Sequence, residues 1–383
     1  MFVTGSCASG SIVGMALRGQ RRFIGGISRR LWVRKHDQQL FEPAPASPKG
    51  SVEPKELARP TPAQVGAPEL RITDLHIAEF MRKGFVVVHH VFTREELEAM
   101  QVEADRYYPP YAEWVQKSDD EISVPGNRTF SPRIRAPFYG AALMRNAYHP
   151  SLLSAAARIM GREMDDLLLH QSNLSVKYSS DQKACVTNHE QSFHSDIVTH
   201  DLAYPSPNPR YWQIQFIIYL DDVSGEEFGP TKAVSWELTK DIPFAPTQDL
   251  PMPKPGGKFN HLYEREEAAI APAGSVLIYS VRTFHRGTKI RAPGRRRRVH
   301  FVTFGPGRGD AAWLGYEGQT LWQGINHPAF KELLVSGSPQ QRAVLGFPKA
   351  DSPYWNGETI RGVKARFPQM DMEPYQQALP RSD

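Results

Sequence analysis

The chain has 383 residues, 40% hydrophobic and 23% charged, so it holds enough apolar material for a core and is not a disordered polymer. No apolar run approaches the roughly 20 residues of a membrane-spanning helix, and two cysteines, Cys7 and Cys185, exclude a disulfide framework or a zinc ribbon and point to a reducing compartment. The formal charge of +5 sits at one end: residues 1–36 carry seven Lys/Arg and no acid, and without them 39 basic residues face 41 acidic ones. A nucleic-acid binder carries its positive charge on the folded domain, and this chain does not.

Residues 1–36, rich in Arg, Ser and Gly and free of acids, have the composition of a mitochondrial presequence. Residues 37–69 hold seven prolines and few apolar side chains, the pattern of a semi-rigid linker. A folded domain is expected over 70–310, followed by a helical and irregular extension over 311–383. Thr73 or Asp74 caps a helix to about Lys83, which Gly84 ends. Phe85–Val88 reads as a buried strand. Thr93-Arg94-Glu95-Glu96 is a capping box that opens a helix to about Tyr107. Residues 108–147 read as a long irregular stretch, of the kind that is usually functional. His149–Met160 reads as a helix stopped by Gly161.

Short strand patterns follow at Leu167–Gln171, Asn173–Lys177, Phe193–Ile197, Trp212–Leu220, Lys232–Trp236, Ser275–Tyr279 and Arg297–Phe304. Many short strands after a helical start predict a mainly β fold, a barrel or sandwich with helices packed outside.

His194-Ser195-Asp196 lies in one of these strands, where alternation turns the imidazole and the carboxylate to the same side. His285 follows the strand Ser275–Tyr279, beside turn-like Arg286 and Gly287. Two histidines and one carboxylate make the facial triad of non-haem Fe(II) oxygenases, which leaves coordination positions open. Arg295-Arg296-Arg297-Arg298 leads into the last strand. Alternation sends half of these arginines inward, where a guanidinium needs an anion such as a carboxylate.

With these pieces in this order, the chain resembles the phytanoyl-CoA dioxygenase family of Fe(II)/2-oxoglutarate oxygenases over about 72–305. The resemblance rests on Ile72–His89, Phe92–Leu97, His170-Gln171 with Lys177, His194-Ser195-Asp196, Tyr219–Val223, Pro272–Leu277 and His285. The resemblance implies a double-stranded β-helix (jelly-roll or cupin-like) core with flanking helices. It implies iron held by His194, Asp196 and His285. It implies 2-oxoglutarate held by Arg296, eleven positions after His285, with Lys177 assisting; four consecutive arginines leave Arg297 or Arg298 as alternatives. Gly287 replaces a residue that often bears a hydroxyl, with Thr288 adjacent, and Ala233-Val234-Ser235-Trp236-Glu237 replaces a Pro-Gly-Ser-His turn near the substrate mouth. His200 and His300 are not expected as ligands, although His300 shares a strand face with Arg296 and Arg298.

The expected activity is O₂- and 2-oxoglutarate-dependent hydroxylation of a small organic or acyl substrate, releasing succinate and CO₂, with ascorbate as a reductant. Asp196 argues against halogenation, which needs a small residue there. The rival readings are a non-catalytic barrel that binds a ligand or partner, and a cupin-type metalloenzyme without 2-oxoglutarate. No nucleic-acid partner and no membrane span are expected.

Overall fold

The computed structural model describes residues 70–117, 133–179, 188–196, 203–242, 244, 253–307, 332, 334–344, 347–377 and 379. The presequence-like segment, the proline-rich linker and His200 lie outside the described residues. The elements in chain order are α1 (Asp74–Lys83), β1 (Phe85–Val88), α2 (Arg94–Asp105), α3 (Tyr111–Trp114), β2 (Arg133–Arg135), α4 (Ala142–Ala147), α5 (Pro150–Met160), β3 (Leu167–Tyr178), β4 (Ile214–Tyr219), β5 (Thr231–Ala233), α6 (His261–Glu264), β6 (Glu267–Ala268), β7 (Val276–Ser280), β8 (His285–Gly287), β9 (Arg296–Pro306), α7 (Pro339–Val344), α8 (Gly357–Arg366) and α9 (Glu373–Gln376). None of the described helices is long and apolar enough to cross a membrane.

The local signals act as read. Thr93 and Glu96 form a reciprocal capping box at the start of α2. Gly84 ends α1 with φ +91°, and its N–H closes on Phe80 O at 2.7 Å. Any other residue there would be strained, and a β-carbon would run into the Trp236 indole. Trp236 thus packs on Phe80 and Trp212, with ring centroids 5.8 and 5.2 Å away. That packing uses the segment that departs from the family's usual turn.

A six-stranded antiparallel sheet has the order β1-β7-β4-β9-β3-β2, and a three-stranded sheet has the order β6-β5-β8. Strand alternation gives the large sheet two faces. One face sends Val86, Val176, Phe216, Ile278 and Val302 against the helices, in a core with Phe80, Met100, Leu152 and Ile159. The other sends Phe85, Ile217, Tyr219, Leu277 and Val299 toward the small sheet, where Ala233 meets them. Two antiparallel sheets closed on one interior, with helices outside, make the expected double-stranded β-helix.

Several elements differ from expectation. The two strands predicted over 167–177 are one strand, β3, with a register shift between Leu169 and Gln171 that absorbs His170. Phe193–Ile197 is no strand in its described part; only His194 makes a bridge, to His285. Conversely, the turn-like His285-Arg286-Gly287 is strand β8, paired with β5. The 108–147 stretch contains α3, β2 and α4. At the far end, Tyr211, Tyr354, Trp355, Val363, Phe367 and Tyr375 form a separate apolar cluster that binds the C-terminal helices to the segment after the His194 motif.

Candidate metal centre

His194, Asp196 and His285 converge. One donor atom from each lies within 4.8 Å of the others. His194 Nε2 is 3.8 Å from Asp196 Oδ1, and His285 Nε2 is 3.6 Å from Asp196 Oδ2. A pair of backbone hydrogen bonds fixes the two histidines side by side: His194 N to His285 O at 3.1 Å and His285 N to His194 O at 3.0 Å. The bridge does the positioning that a continuous strand was expected to do.

The rings are oriented as well as placed. Nδ1 of His194 lies 2.8 Å from Ser192 O, and Nδ1 of His285 lies 3.1 Å from Thr283 O. A carbonyl only accepts, so each Nδ1 carries the proton and each Nε2 presents a lone pair to the shared point. Asp196 is oriented from the large sheet. Gln215 Nε2 donates to Asp196 Oδ2 at 2.8 Å, Tyr279 OH donates to the same oxygen at 3.3 Å, and Tyr279 OH lies 3.1 Å from Gln215 Oε1. Burial, with the Asp196 charge second, raises the Tyr279 hydroxyl well above its ordinary value, so it stays a donor. Two neutral imidazole nitrogens and one carboxylate, each held by an outer partner, fit a first-row divalent ion such as Fe(II). Sequence reading missed Gln215 and Tyr279, although both occupy inward positions of strands it had identified.

The arginine run resolves against the expected register. Arg296 lies on the helix-facing side and donates to Asp105 and to Tyr108 O, so it does not reach the interior. Arg298 shares that side. It grips Asp221 through Nε at 3.1 Å and Nη2 at 2.7 Å, and reaches Asp105 at 2.6 Å. Arg297 is the inward one. It pairs in register with Lys177, and its Nε and Nη1 are buried with no hydrogen-bond partner. Burial lowers its pKa, with the nearby Tyr219 and Asp221 acting in the opposite direction.

Lys177 stands beside it on the interior floor. Its Nζ donates to His189 O and Thr288 O, both at 2.8 Å. Burial first, and the Arg297 guanidinium second, push its pKa down to about 7. A β-carbon at Gly287 would come within 2.6 Å of Gln191 Oε1 and 3.4 Å of Lys177 Nζ, so the Gln191 side chain would have to shift to admit one. Thr288 does not supply the missing hydroxyl, since its Oγ1 donates to Pro230 O at 2.6 Å. His300 faces the helices with Arg296 and Arg298. It contacts Ser172 Oγ at 2.9 Å, and burial pushes its pKa down to about 3, which keeps it neutral and structural.

Among solved structures, the epimerase SnoN in complex with Fe3+, alpha ketoglutarate and nogalamycin RO is similar at 17% identity, covering 69% of this chain and 91% of that one, with a TM-score of 0.47. HygX from Streptomyces hygroscopicus with nickel and 2-oxoglutarate bound is similar at 16% identity, covering 61% and 87%, with a TM-score of 0.42. No curated protein matches the chain. The profile of the phytanoyl-CoA dioxygenase (PhyH) family matches residues 80–299, a span that contains β1 to β8 and the start of β9, the His194-Ser195-Asp196 motif and His285. The chain belongs to this family of Fe(II)/2-oxoglutarate-dependent oxygenases, with His194, Asp196 and His285 as its facial triad.

Proposed function

We propose that the protein hydroxylates a small organic substrate, with 2-oxoglutarate and O₂ consumed and succinate and CO₂ released. The carrying observation is the inward Arg297, whose buried Nε and Nη1 have no hydrogen-bond partner, on the large-sheet face whose Gln215 and Tyr279 hold the triad's Asp196. A buried charged donor without a partner costs several kcal/mol unless a ligand completes it. The far carboxylate of 2-oxoglutarate matches its fork, and Lys177 adds a second cation to the same floor.

In this reading His194, Asp196 and His285 hold the iron, Arg297 and Lys177 hold the cosubstrate, and Arg296 only braces β9. Bound together, iron and 2-oxoglutarate would supply the oxidising chemistry: one atom of O₂ goes into succinate and the other into the substrate's C–H bond. The chain's own residues supply geometry. The Nδ1–H bonds to Ser192 O and Thr283 O keep both Nε2 atoms aimed at one point. Gln215 and Tyr279 hold Asp196 Oδ2 and stop the carboxylate from rotating away. Ascorbate serves as the reductant that restores idle enzyme.

Titration of 2-oxoglutarate into the Mn(II)-loaded protein tests the assignment. A charge-assisted bidentate contact is worth roughly 1.5–3 kcal/mol, so Arg297→Ala weakens binding about 10- to 150-fold. Arg296→Ala leaves it within about twofold, since that side chain is occupied by Asp105. Unchanged affinity in Arg297→Ala would sink the reading.

A further inference from the structure

The segment that carries two of the three metal ligands has little regular structure. His194 makes a backbone bridge to His285, and Asp196 stands in a turn. No strand ladder fixes the backbone of the carboxylate, so contacts made by its chain neighbours have to. Ser195, between the two ligands, is fully buried, and its hydroxyl donates to Phe244 O. The Phe244 ring packs against the apolar cluster that holds Phe193 and Phe284, the residues just before His194 and His285. It stacks on Phe284 with centroids 6.3 Å apart. Phe244 thus meets the chain neighbours of all three ligands.

Phe244 is in turn held from the far end of the chain. The Arg282 guanidinium lies over its ring, 5.0 Å from the centroid, and over Trp212 at 5.5 Å. Arg282 donates to Ser206 O at 2.9 Å and meets Glu358 of α8 at 3.7 Å. The Tyr204 ring lies 5.8 Å from Phe244. Its backbone is clasped by Tyr354, whose hydroxyl accepts from Tyr204 N at 3.1 Å and donates to Tyr204 O. Gly362 of α8 passes so close to the Tyr204 ring that a β-carbon would run into it. Arg366 Nη1 donates to Ala203 O at 2.7 Å.

Glu358, Gly362 and Arg366 are spaced four apart, so they form one stripe of α8. Ile360, Val363 and Phe367 form another, which builds the C-terminal apolar core. A helix that only covered the barrel would bury its apolar stripe and leave the other to water. Here the second stripe is spent on Arg282, Tyr204 and Ala203, and the first two of these carry Phe244. The helix lies beyond residue 299, where the family match ends.

We propose that α8 positions the metal centre: through Arg282 and Tyr204 it holds Phe244, and Phe244 holds the segments that carry His194, Asp196 and His285. Arg282, Tyr204 and Phe244 are positioning residues that act through the ligands' neighbours. Linkage makes the effect reciprocal, so metal binding tightens the docking of α8.

The test uses metal alone and is independent of 2-oxoglutarate and of substrate. Co(II) affinity of the full chain is measured by competition with a chelating dye, and the visible absorption of bound Co(II) reports the geometry of its ligands. Gly362→Ala is the sharpest variant. Alanine favours a helix over glycine, so α8 keeps its own structure while its contact with Tyr204 is broken. Co(II) affinity should fall about five- to tenfold, toward the low end of couplings between separate sites, and the visible band should shift. Phe244→Leu should do the same, and Phe244→Tyr, which keeps the ring, should restore the wild-type values. Arg361→Ala, on the exposed side of α8, should stay within about twofold. Hydrogen exchange of the unsubstituted protein gives an independent reading: Co(II) should slow amide exchange across Gly357–Arg366. Wild-type affinity and spectrum in both Gly362→Ala and Phe244→Leu overturn the proposal, as does α8 exchange that ignores the metal, since either result makes the helix a cover only. An unsubstituted protein that takes up no Co(II) removes the metal centre itself, and the proposal with it.

Discussion

On the helix-facing side of the large sheet, Arg298 is surrounded by carboxylates: Asp221 takes it from two nitrogens and Asp105 from a third. One residue earlier on the same strand, Arg297 faces the interior and its buried Nε and Nη1 have no hydrogen-bond partner. The two share a residue type, a strand and near-complete burial, and differ in what the fold has placed opposite them. On the helix side the charged groups meet partners within the chain: Arg296 meets Asp105, and the neutral His300 meets Ser172 through one ring nitrogen. On the interior side Lys177 and Gln215 also find partners within the chain, but the Arg297 Nε and Nη1 do not. Burial alone therefore does not separate structural charge from ligand-binding charge. The presence or absence of an internal counter-ion does.

The largest test of the contrast removes the triad's carboxylate. Asp196→Ala should abolish 2-oxoglutarate turnover and metal retention while the thermal melt shows a folded protein, because the side chain lies at the cavity rather than within either apolar core. Its supporting partner should give a graded loss. Gln215→Leu leaves all three metal donors in place but removes one of the hydrogen bonds that hold Asp196 Oδ2, the Tyr279 hydroxyl remaining, and outer-partner substitutions typically cost about 10- to 100-fold in metal affinity. Metal content after dialysis against a weak chelator reads both. Full metal retention in Asp196→Ala would break the site assignment.

Stability should then move in opposite directions on the two faces. Asp221→Ala strips Arg298 of its bidentate partner and leaves a buried charge on Asp105 alone. A loss of about 3 kcal/mol in denaturant unfolding is expected, at the lower end for broken buried pairs because Asp105 remains. Arg297→Met removes an unpartnered buried charge at similar volume, so the ligand-free protein should gain about 1 kcal/mol. Equal losses in both variants would show that the two arginines do the same work.

The fold was legible where the physics is local. The Thr93 capping box, the Gly84 stop and the apolar run Phe85–Val88 depend on neighbours in sequence and stand where expected. The triad was legible because its residue types are chemically scarce in combination. The arginine register was not. From Val299 to Phe304 apolar side chains fall on both faces of β9, since one packs on helices and the other fills the barrel. Alternation then has no contrast from which to take its phase. What sets the phase is Asp105 and Asp221, 191 and 77 residues away from their partners Arg296 and Arg298. For the same reason His285 looked like a turn residue: β8 is three residues long, and its pairing with β5 is not encoded in its own composition.

The smallest expected effect sharpens the comparison by pH. Lys177 is the second cation of the interior floor, and burial with Arg297 nearby brings its pKa to about 7. In the unfolded chain the lysine keeps its ordinary value near 10.4. Between those two values the unfolded chain binds more protons than the folded one, so the stability of the ligand-free protein rises with pH across that window; the cost of the buried charge is felt in full below about pH 7. Binding of a dicarboxylate has the opposite slope, because the anion favours the protonated amine. From pH 7 to 8 the protonated fraction of a group with pKa about 7 falls roughly fivefold, and 2-oxoglutarate affinity should fall by about that factor. Lys177→Met, which keeps the stem and deletes the charge, should flatten both slopes together, as read by urea unfolding and by titration of the Mn(II)-loaded protein. A binding slope that persists unchanged in Lys177→Met would assign the titration to another group and leave Arg297 as the interior cation that answers the cosubstrate.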